Sequence, residues 1–600
     1  MIRVDSFNGE APSIASSKLE NGQAQQAIDC VLLNGNLRPA RTNAPTALSI
    51  QSDVKTLALL TSLRDSDGNM QSAVDGGVWL KWQKKVDVAK APIPNDDLHY
   101  MFYTGDDTGG DFPKMSWYGE SHKGSPAYPP GDNYRRIGVP APDSAMTATV
   151  SGETTFPGAT PTARPYVVTY VCKSGSTIYT QEGAQSPSVM IDWLPGQLVT
   201  LSHIPVPHGD SCVSHKRIYR YQKGSGGGVF NFLAEVDVND TTFVDTVTDD
   251  NLPGGVLETA DFTPPPDDLQ GIVTLAGGVM AGFSGRDIWF SEPHHPFAWP
   301  LGYRMTVDYD PVALAPLGNG VVVVTTGYPY VISGTSPAVY GKQRLNIDQS
   351  CVSKESVVSD GGTVIYAAPD GLVGVTLGGA KVLTEKLLNT PQWRAMKPEK
   401  MRCEVHDSFV IVFYDSSDEG DSSDEGKGSI VIDPKNSRAG LTFSGEYTHI
   451  SYRDLVDDTL YIESDGSLQK WREGDSLVSY RWRSKRFVFG KPVSMSAIKI
   501  ETLQDENDPI FERNGGNPIT EEKRTVSVKV FADGNILKMP DGFDFELTYR
   551  GAGDMDLSHS RSGAVNRLPA YGAAHTWEFE LNGDAEVRSV AIAPSVAGLR

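Results

Sequence analysis

Short apolar runs broken by Gly, Asp and Pro recur through the second half of the chain, and this pattern predicts strands and tight turns. The clearest unit is LAGGVMAGFSGRDIWFSEPHHPFAWP, Leu275 to Pro300. It holds an apolar strand, a glycine turn and a second strand ending on Ile288-Trp289-Phe290, then a Ser-Glu-Pro step and a Pro-Phe-Ala-Trp-Pro exit. The unit returns loosely at Leu317–Gly334, Ser359–Leu377, His406–Asp433 and Asp457–Trp471. Strand pairs at a period of roughly 40 residues mark a β-propeller, in which each small sheet buries its faces only against its neighbours. A generic antiparallel domain with regular hairpins is the alternative.

The remaining pattern divides the chain. Residues 1–138 open with a weakly structured arm, followed by NGQAQQAIDCVLLNG, which is compatible with a helix carrying Ala27, Ile28 and Val31 on one face. GGVWLKWQKKVDVAKAPIP and His99–Asp107 then read as the first strands of a propeller or platform. Residues 139–266 carry short alternating strands at the density of a β-sandwich, in an order close to a fibronectin type III-like domain, and end at Pro264-Pro265-Pro266. Residues 267–478 hold the propeller blades, and 479–600 form a C-terminal β domain that closes the platform. Strands from residues 24–138 are expected beside strands from 450–500, closing the ring and removing free sheet edges. Leu503–Lys523 is a long polar loop, of the kind that is an interaction arm or a disordered segment. The expected fold class is all-β: a β-propeller-like core, an inserted fibronectin III-like sandwich and a C-terminal β domain.

Composition agrees, with 60 Gly and 39 Pro among 600 residues. No apolar run is long enough to span a bilayer, and the N-terminus lacks a signal-type apolar core, so membrane insertion is not expected. The five cysteines, Cys30, Cys172, Cys212, Cys351 and Cys403, are scattered without a CxxC pair and read as buried free thiols. A net charge of −22 argues against wrapping nucleic acid. It suits a conduit, because acidic walls repel phosphate and let the polymer slide.

Catalytic chemistry is sparse. GxxxxGK[ST], HExxH and GxSxG do not occur, and GSGGG at Gly224–Gly228 reads as a hairpin tip because no helix start or Lys-Ser/Thr follows. His294 and His295 are adjacent and have no third ligand spaced nearby, which favours a loop role over a metal site. Asp106, Asp107 and Asp111 share a Gly-rich loop but not the ligand spacing of a calcium loop, so a solvated turn is expected. Trp79, Trp82, Tyr100, Phe102, Tyr103, Trp117 and Tyr118 read as sheet core or subunit packing in preference to a sugar platform. Propellers also host glycosidases, but with 75 acidic residues no carboxylate pair stands out. The Ser-x-Asp-x-Gly-x-Thr-Trp box of sialidase blades is approached only by ESDGSLQKW, Glu463–Trp471, which departs at its Thr-Trp end. One tract is distinctive: DSSDEG occurs twice in succession within Asp415–Lys427, gathering Asp415, Asp418, Glu419, Asp421, Asp424 and Glu425. Its plain reading is a solvated hairpin tip, and its more specific reading is the lining of a pore. No catalytic residue, cofactor or metal is expected.

Several passages, in order along the chain, resemble the tail nozzle (hub, or tail tubular B-type) proteins of short-tailed bacteriophages. They are Gln23-Ala24-Gln25-Gln26-Ala27 with Gly35-Asn36-Leu37-Arg38-Pro39, and Lys216-Arg217-Ile218-Tyr219-Arg220 with Phe243-Val244-Asp245 to Asp250-Asn251-Leu252-Pro253. Next come Ile288-Trp289-Phe290-Ser291-Glu292-Pro293 through Phe297-Ala298-Trp299-Pro300, then Tyr480-Arg481-Trp482-Arg483-Ser484-Lys485, and Arg567-Leu568-Pro569. The resemblance implies a non-enzymatic structural protein of the virion tail, made in the host cytoplasm. It implies a homohexameric ring that continues the portal–adaptor channel, helps retain the genome and conducts double-stranded DNA during ejection. Its implied partners are the portal-adaptor ring, tail fibres or spikes, and DNA passing through the lumen without sequence recognition. The alternatives are a propeller-type glycan-processing enzyme and a receptor-binding tail protein.

Overall fold

The computed structural model describes residues 1–62, 77–92, 100–107, 110–116, 134–173, 180–208, 212–224, 227–418, 426–436, 439–455, 457–503, 524–550 and 560–599. Its backbone falls into two compact units, residues 55–345 and residues 1–54 with 346–600.

In the unit of residues 55–345, two consecutive four-stranded antiparallel sheets match the repeat seen in the sequence. The first is Gln270–Leu275, Val279–Ser284, Asp287–Phe290 and Met305–Thr306; the second is Pro311–Leu317, Gly320–Thr325, Tyr330–Ser333 and Gly341–Arg344. Every residue of Gly320–Thr325 is buried. A strand covered on both faces has no reason to alternate, and this is why these units read as continuous apolar runs. Phe290 and Trp299 are wholly buried and Phe297 nearly so, which makes Leu275–Pro300 a blade and its connector. Another four-stranded sheet includes Asp87–Lys90, Met101–Thr104, Lys114–Ser116 and Tyr134–Arg136, and its Tyr100, Phe102 and Met115 share a core with Ile272, Met280 and Trp299. Trp79, Trp82, Tyr100, Phe102 and Tyr103 are therefore packing residues. Trp117 and Tyr118 lie outside the described residues.

The same unit contains a sandwich. One sheet is Thr147–Ser151, Leu198–Ser202 and Thr242–Asp245; the other is built on Thr162–Lys173, His215–Gly224 and Gly227–Asp237, with Thr180–Glu182 and Val189–Trp193. Tyr166, Val168, Val199, Leu201, Ile218 and Leu233 fill the space between them.

The unit of residues 1–54 and 346–600 continues the repeat. Val358–Ser359, Val364–Ala368, Gly371–Thr376 and Gly379–Val382 form one sheet, and Arg402–His406, Phe409–Asp415, Lys427–Ile432 and Leu441–Ser444 pair in series in the next. The last blade takes Ser451–Arg453, Leu460–Ser464 and Ser467–Lys470 from this region and its fourth strand, Ala44–Ser49, from the N-terminus. The fold is thus all-β with a propeller-like core.

The N-terminal segment differs from its sequence reading. Ile2–Val4 is a strand paired with Glu586–Ala593, and no helix forms over NGQAQQAIDCVLLNG. Ala24–Ile28 and Cys30–Leu33 are strands joined at Asp29, whose φ is 53°. Tertiary pairing overrides the weak helical pattern: Ala27 lies opposite Trp482, and its N–H donates to the Glu10 carboxylate at 2.6 Å.

Candidate functional site

The acidic tract sits on a β-hairpin. Phe409–Asp415 and Lys427–Ile432 pair antiparallel with Asp415 opposite Lys427, so the tract is the connection between two blade strands. The neck is closely bonded. Ser416 donates to Gly426 O through its backbone N–H at 2.9 Å and its hydroxyl at 2.7 Å. Gly426 has φ 88°, and a Cβ there would lie 2.6 Å from Ser416 Oγ, so glycine is required at this position. The Asp415 carboxylate accepts from the Ser417 N–H at 2.9 Å and from the Ser417 hydroxyl. Burial opposes ionisation of Asp415, but the Ser417 bonds outweigh it, with help from Lys400 and Lys427, and hold the carboxyl below its ordinary value.

Two lysines brace the neck from a neighbouring turn. Lys397 Nζ donates to Ser417 O at 2.7 Å and to Asp418 at 2.9 Å, and Lys400 Nζ donates to Ser417 O at 3.0 Å. The structure therefore brings Asp415 and Asp418 together at a neck with its own counter-charges. Glu419, Asp421, Asp424 and Glu425 lie outside the described residues.

The other candidates resolve into structural roles. Lys114, wholly buried, places its ammonium inside the Gly105–Lys114 loop, where it donates to Asp106 O and, at 2.9 Å, to Gly110 O. The Asp106 carboxylate lies 3.5 Å away, and the Phe112 and Tyr134 rings flank the ammonium at 5.1 and 5.3 Å. The chain's own cation occupies the centre that a calcium loop would offer, and Asp106 is buried, which the reading as a solvated turn did not anticipate. The legible signal was the lysine closing DFPK. His294 has φ 62° and donates its N–H to Gly278 O at 2.7 Å, while His295 Nδ1 lies 3.0 Å from Pro293 O. Both serve the connector. In ESDGSLQKW, Glu463 holds His449 at 3.1 Å and Trp471 stands edge-on to Phe413 at 5.5 Å, an arrangement of hairpin and core. Gly224 and Gly228 lie on paired strands at a hairpin end.

Sequence reasoning missed one group. Among the described residues, His406, Asp407 and Asp458 are the three His, Cys, Asp or Glu side chains whose ligand atoms fall within 4.8 Å of one another. Asp458 is already held by Arg453 at 2.5 Å, and its carbonyl faces His406 Nδ1 at 3.0 Å. A guanidinium on the carboxylate supplies the positive charge that a divalent ion would bring, so the group clamps two blade turns together. Nothing in the local sequence joins residues 406 and 458; only the pairing of adjacent blades does.

No family model matches the chain, and no curated protein matches it. Solved structures similar to it include the Neurospora crassa Pan2 WD40 domain, at 6% identity and a TM-score of 0.23, covering 46% of this chain and 84% of that one. An exo-beta-1,3-galactanase from Phanerochaete chrysosporium matches at 10% identity and a TM-score of 0.18, covering 54% of this chain and 95% of that one. PorZ, a surface component of the type-IX secretion system of Porphyromonas gingivalis, matches at 11% identity and a TM-score of 0.24, covering 88% and 86%. At these scores the likenesses carry no inference about activity.

Proposed function

We propose that this chain is a structural subunit of the tail nozzle of a short-tailed bacteriophage. Six copies form a ring that continues the portal–adaptor channel, helps retain the genome and conducts DNA during ejection.

The observation that carries this reading is how the motifs of the resemblance meet in space. Ala24 and Ala27 of the N-terminal motif pair with Ser484 and Trp482 of the Tyr480–Lys485 motif. Arg220 of Lys216–Arg220 donates to Asp245 and to Asp249 of the Phe243–Pro253 exit. Glu292 of the Ile288–Pro293 motif donates its N–H to Ala298 O of the Phe297–Pro300 motif at 2.8 Å. The first of these pairings joins segments far apart in the chain and the other two fix local connections; together they set a scaffold, and a shared scaffold is the expectation for ring subunits with a mechanical role. The net charge of −22 and the acidic hairpin support a lumen that repels DNA. The inserted sandwich is the element we assign to fibre or spike docking.

Electron microscopy of the purified protein mixed with portal–adaptor complexes tests this. A six-fold ring beneath the adaptor is expected. Protein that remains monomeric and unbound beside intact portal–adaptor complexes overturns the proposal.

A further inference from the structure

Four of the five cysteines are buried; the fifth, Cys212, is partly exposed. Cys172 lies near the end of Thr162–Lys173, in a small cluster with Val139, Tyr170 and Val213, and Cys212 packs against that cluster. The pairing of Thr162–Lys173 with His215–Gly224 sets Val171 opposite His215. Continuing this register puts Ser214 opposite Cys172, and the bonding agrees: Ser214 N donates to Val171 O at 2.9 Å, and Lys173 N donates to Ser214 Oγ at 3.2 Å. Cys212 is two residues along, so its side chain falls on the same face as that of Cys172. The two thiols are near enough for each to shift the ionisation of the other, and Arg135 Nη1 donates to Cys172 Sγ at 3.2 Å.

We propose that Cys172 and Cys212 form a redox modification site, with Cys212 as the attacking sulfur, Cys172 as the resolving sulfur and an intrachain disulfide as product. A reactive cysteine is recognised by partial exposure, a nearby cation and an adjacent resolving thiol, and all three meet here. The interaction with Cys172 holds the Cys212 thiol below its ordinary value against the effect of burial, and Arg135 adds to this. Cys172 is held up, by the Cys212 interaction first and burial second. Cys212 precedes the first ladder pair at His215, so its backbone is not locked by that ladder when the sulfurs close to bonding distance.

With glutathione disulfide as the oxidant, Cys212 Sγ attacks one glutathione sulfur, the S–S bond breaks and one glutathione thiolate leaves. Cys172 Sγ then attacks Cys212 Sγ and displaces the second glutathione. Two electrons pass from the protein thiols to the glutathione disulfide, and the two thiol protons end on the two glutathione thiols. Capping Cys212 removes the partner that keeps Cys172 protonated, and Arg135 remains to stabilise the Cys172 thiolate for the second step.

The test is incubation of the intact protein with glutathione disulfide, followed by thiol titration after denaturation and mass analysis of a non-reduced digest. Two thiols are lost, reversibly with dithiothreitol, and the linked peptides contain Cys172 and Cys212. Cys172→Ser and Cys172→Ala stop at a stable glutathione adduct on Cys212, and Cys212→Ser leaves Cys172 unmodified. Arg135→Ala slows alkylation of Cys212 at neutral pH by roughly tenfold and moves its pH profile upward. Retention of all five thiols, or an adduct on Cys172 in Cys212→Ser with none on Cys212 in the Cys172 variants, overturns the proposal.

Discussion

Arg220 donates to the Asp245 carboxylate at 2.7 Å, with both side chains almost wholly withdrawn from water. The same carboxylate accepts from Tyr166 OH at 2.8 Å, and the guanidinium also reaches Val247 O at 2.7 Å. Both Nη atoms of Arg220 and both oxygens of Asp245 have partners, so the strand of the Lys216–Arg220 motif is tied to the exit of the sandwich. Breaking one side of a buried pair leaves an uncompensated charge, which costs more than the pair contributes. Asp245→Ala is expected to destabilise the sandwich by about 3–5 kcal/mol. Tyr166→Phe removes one bond and costs about 1 kcal/mol. Hydrogen exchange across Thr162–Lys173 reads both effects, and unchanged protection in Asp245→Ala would refute the assignment.

Burial pushes the Glu10 carboxyl up to about 7, although the Ala27 N–H donates to it. The folded state therefore binds this proton more tightly than the unfolded chain does. The resulting stability is fully present below the ordinary glutamate value and is lost as pH rises from there through about 7. The loss is at most about 3–4 kcal/mol. Glu10→Gln keeps an acceptor for Ala27 and carries no charge, so it flattens the pH dependence and stabilises the protein at pH above 7. Urea titrations at acidic and mildly alkaline pH compare the two; parallel pH profiles would contradict the prediction.

Gly9 and Gly440 approach backbone to backbone. A Cβ on Gly9 would lie 2.3 Å from Leu441 O, and one on Gly440, where φ is 78°, would lie 2.5 Å from Gly9 C. The approach lets Glu10 and Leu441 exchange bonds of 2.7 and 2.9 Å. Gly9→Ala must separate these backbones and is expected to cost about 1–3 kcal/mol. Gly445→Ala, where a Cβ meets nothing within 4 Å, is the control. A thermal midpoint for Gly9→Ala equal to that of the control would show that the contact yields freely.

Neutralising Glu419, Asp421, Asp424 and Glu425 to their amides tests the conduit role of the tract. The neck bonds at Asp415, Ser416 and Ser417 are left intact, so the unfolding midpoint is expected to stay at the wild-type value. On the proposed function, with the tract as channel lining, particles carrying the variant are expected to eject DNA more slowly, because loss of the carboxylates weakens the repulsion of phosphate. Fluorescence-monitored ejection reads the rate. Unchanged ejection from complete particles would remove the tract from the channel.

Much of the architecture was legible in the sequence because the blade strands are covered on both faces. Runs such as GVVVVT and VIYAA are strands whichever neighbours they find, and glycine or aspartate turns punctuate them. The N-terminal strands were not legible in the same way. AQQAI carries no strong alternation, and it becomes a strand because Tyr480–Ser484 offers it an edge. The neck of the acidic hairpin could be anticipated from its flanking apolar strands. Its bracing by Lys397 and Lys400 could not, because both come from a turn outside the hairpin.

The sequence by itself determined the class of the molecule: the spacing of apolar runs and turns set a repeating all-β core, and the charge set its electrostatic character. Those are sums over local choices, each made within a few residues. Only the tertiary structure decided which strand completes the last blade, that Lys114 is the cation of its loop, and that Cys172 and Cys212 are neighbours. Each of these depends on long-range pairing, in which partners far apart in the chain satisfy one another's backbone, charge or sulfur once folding has brought them together.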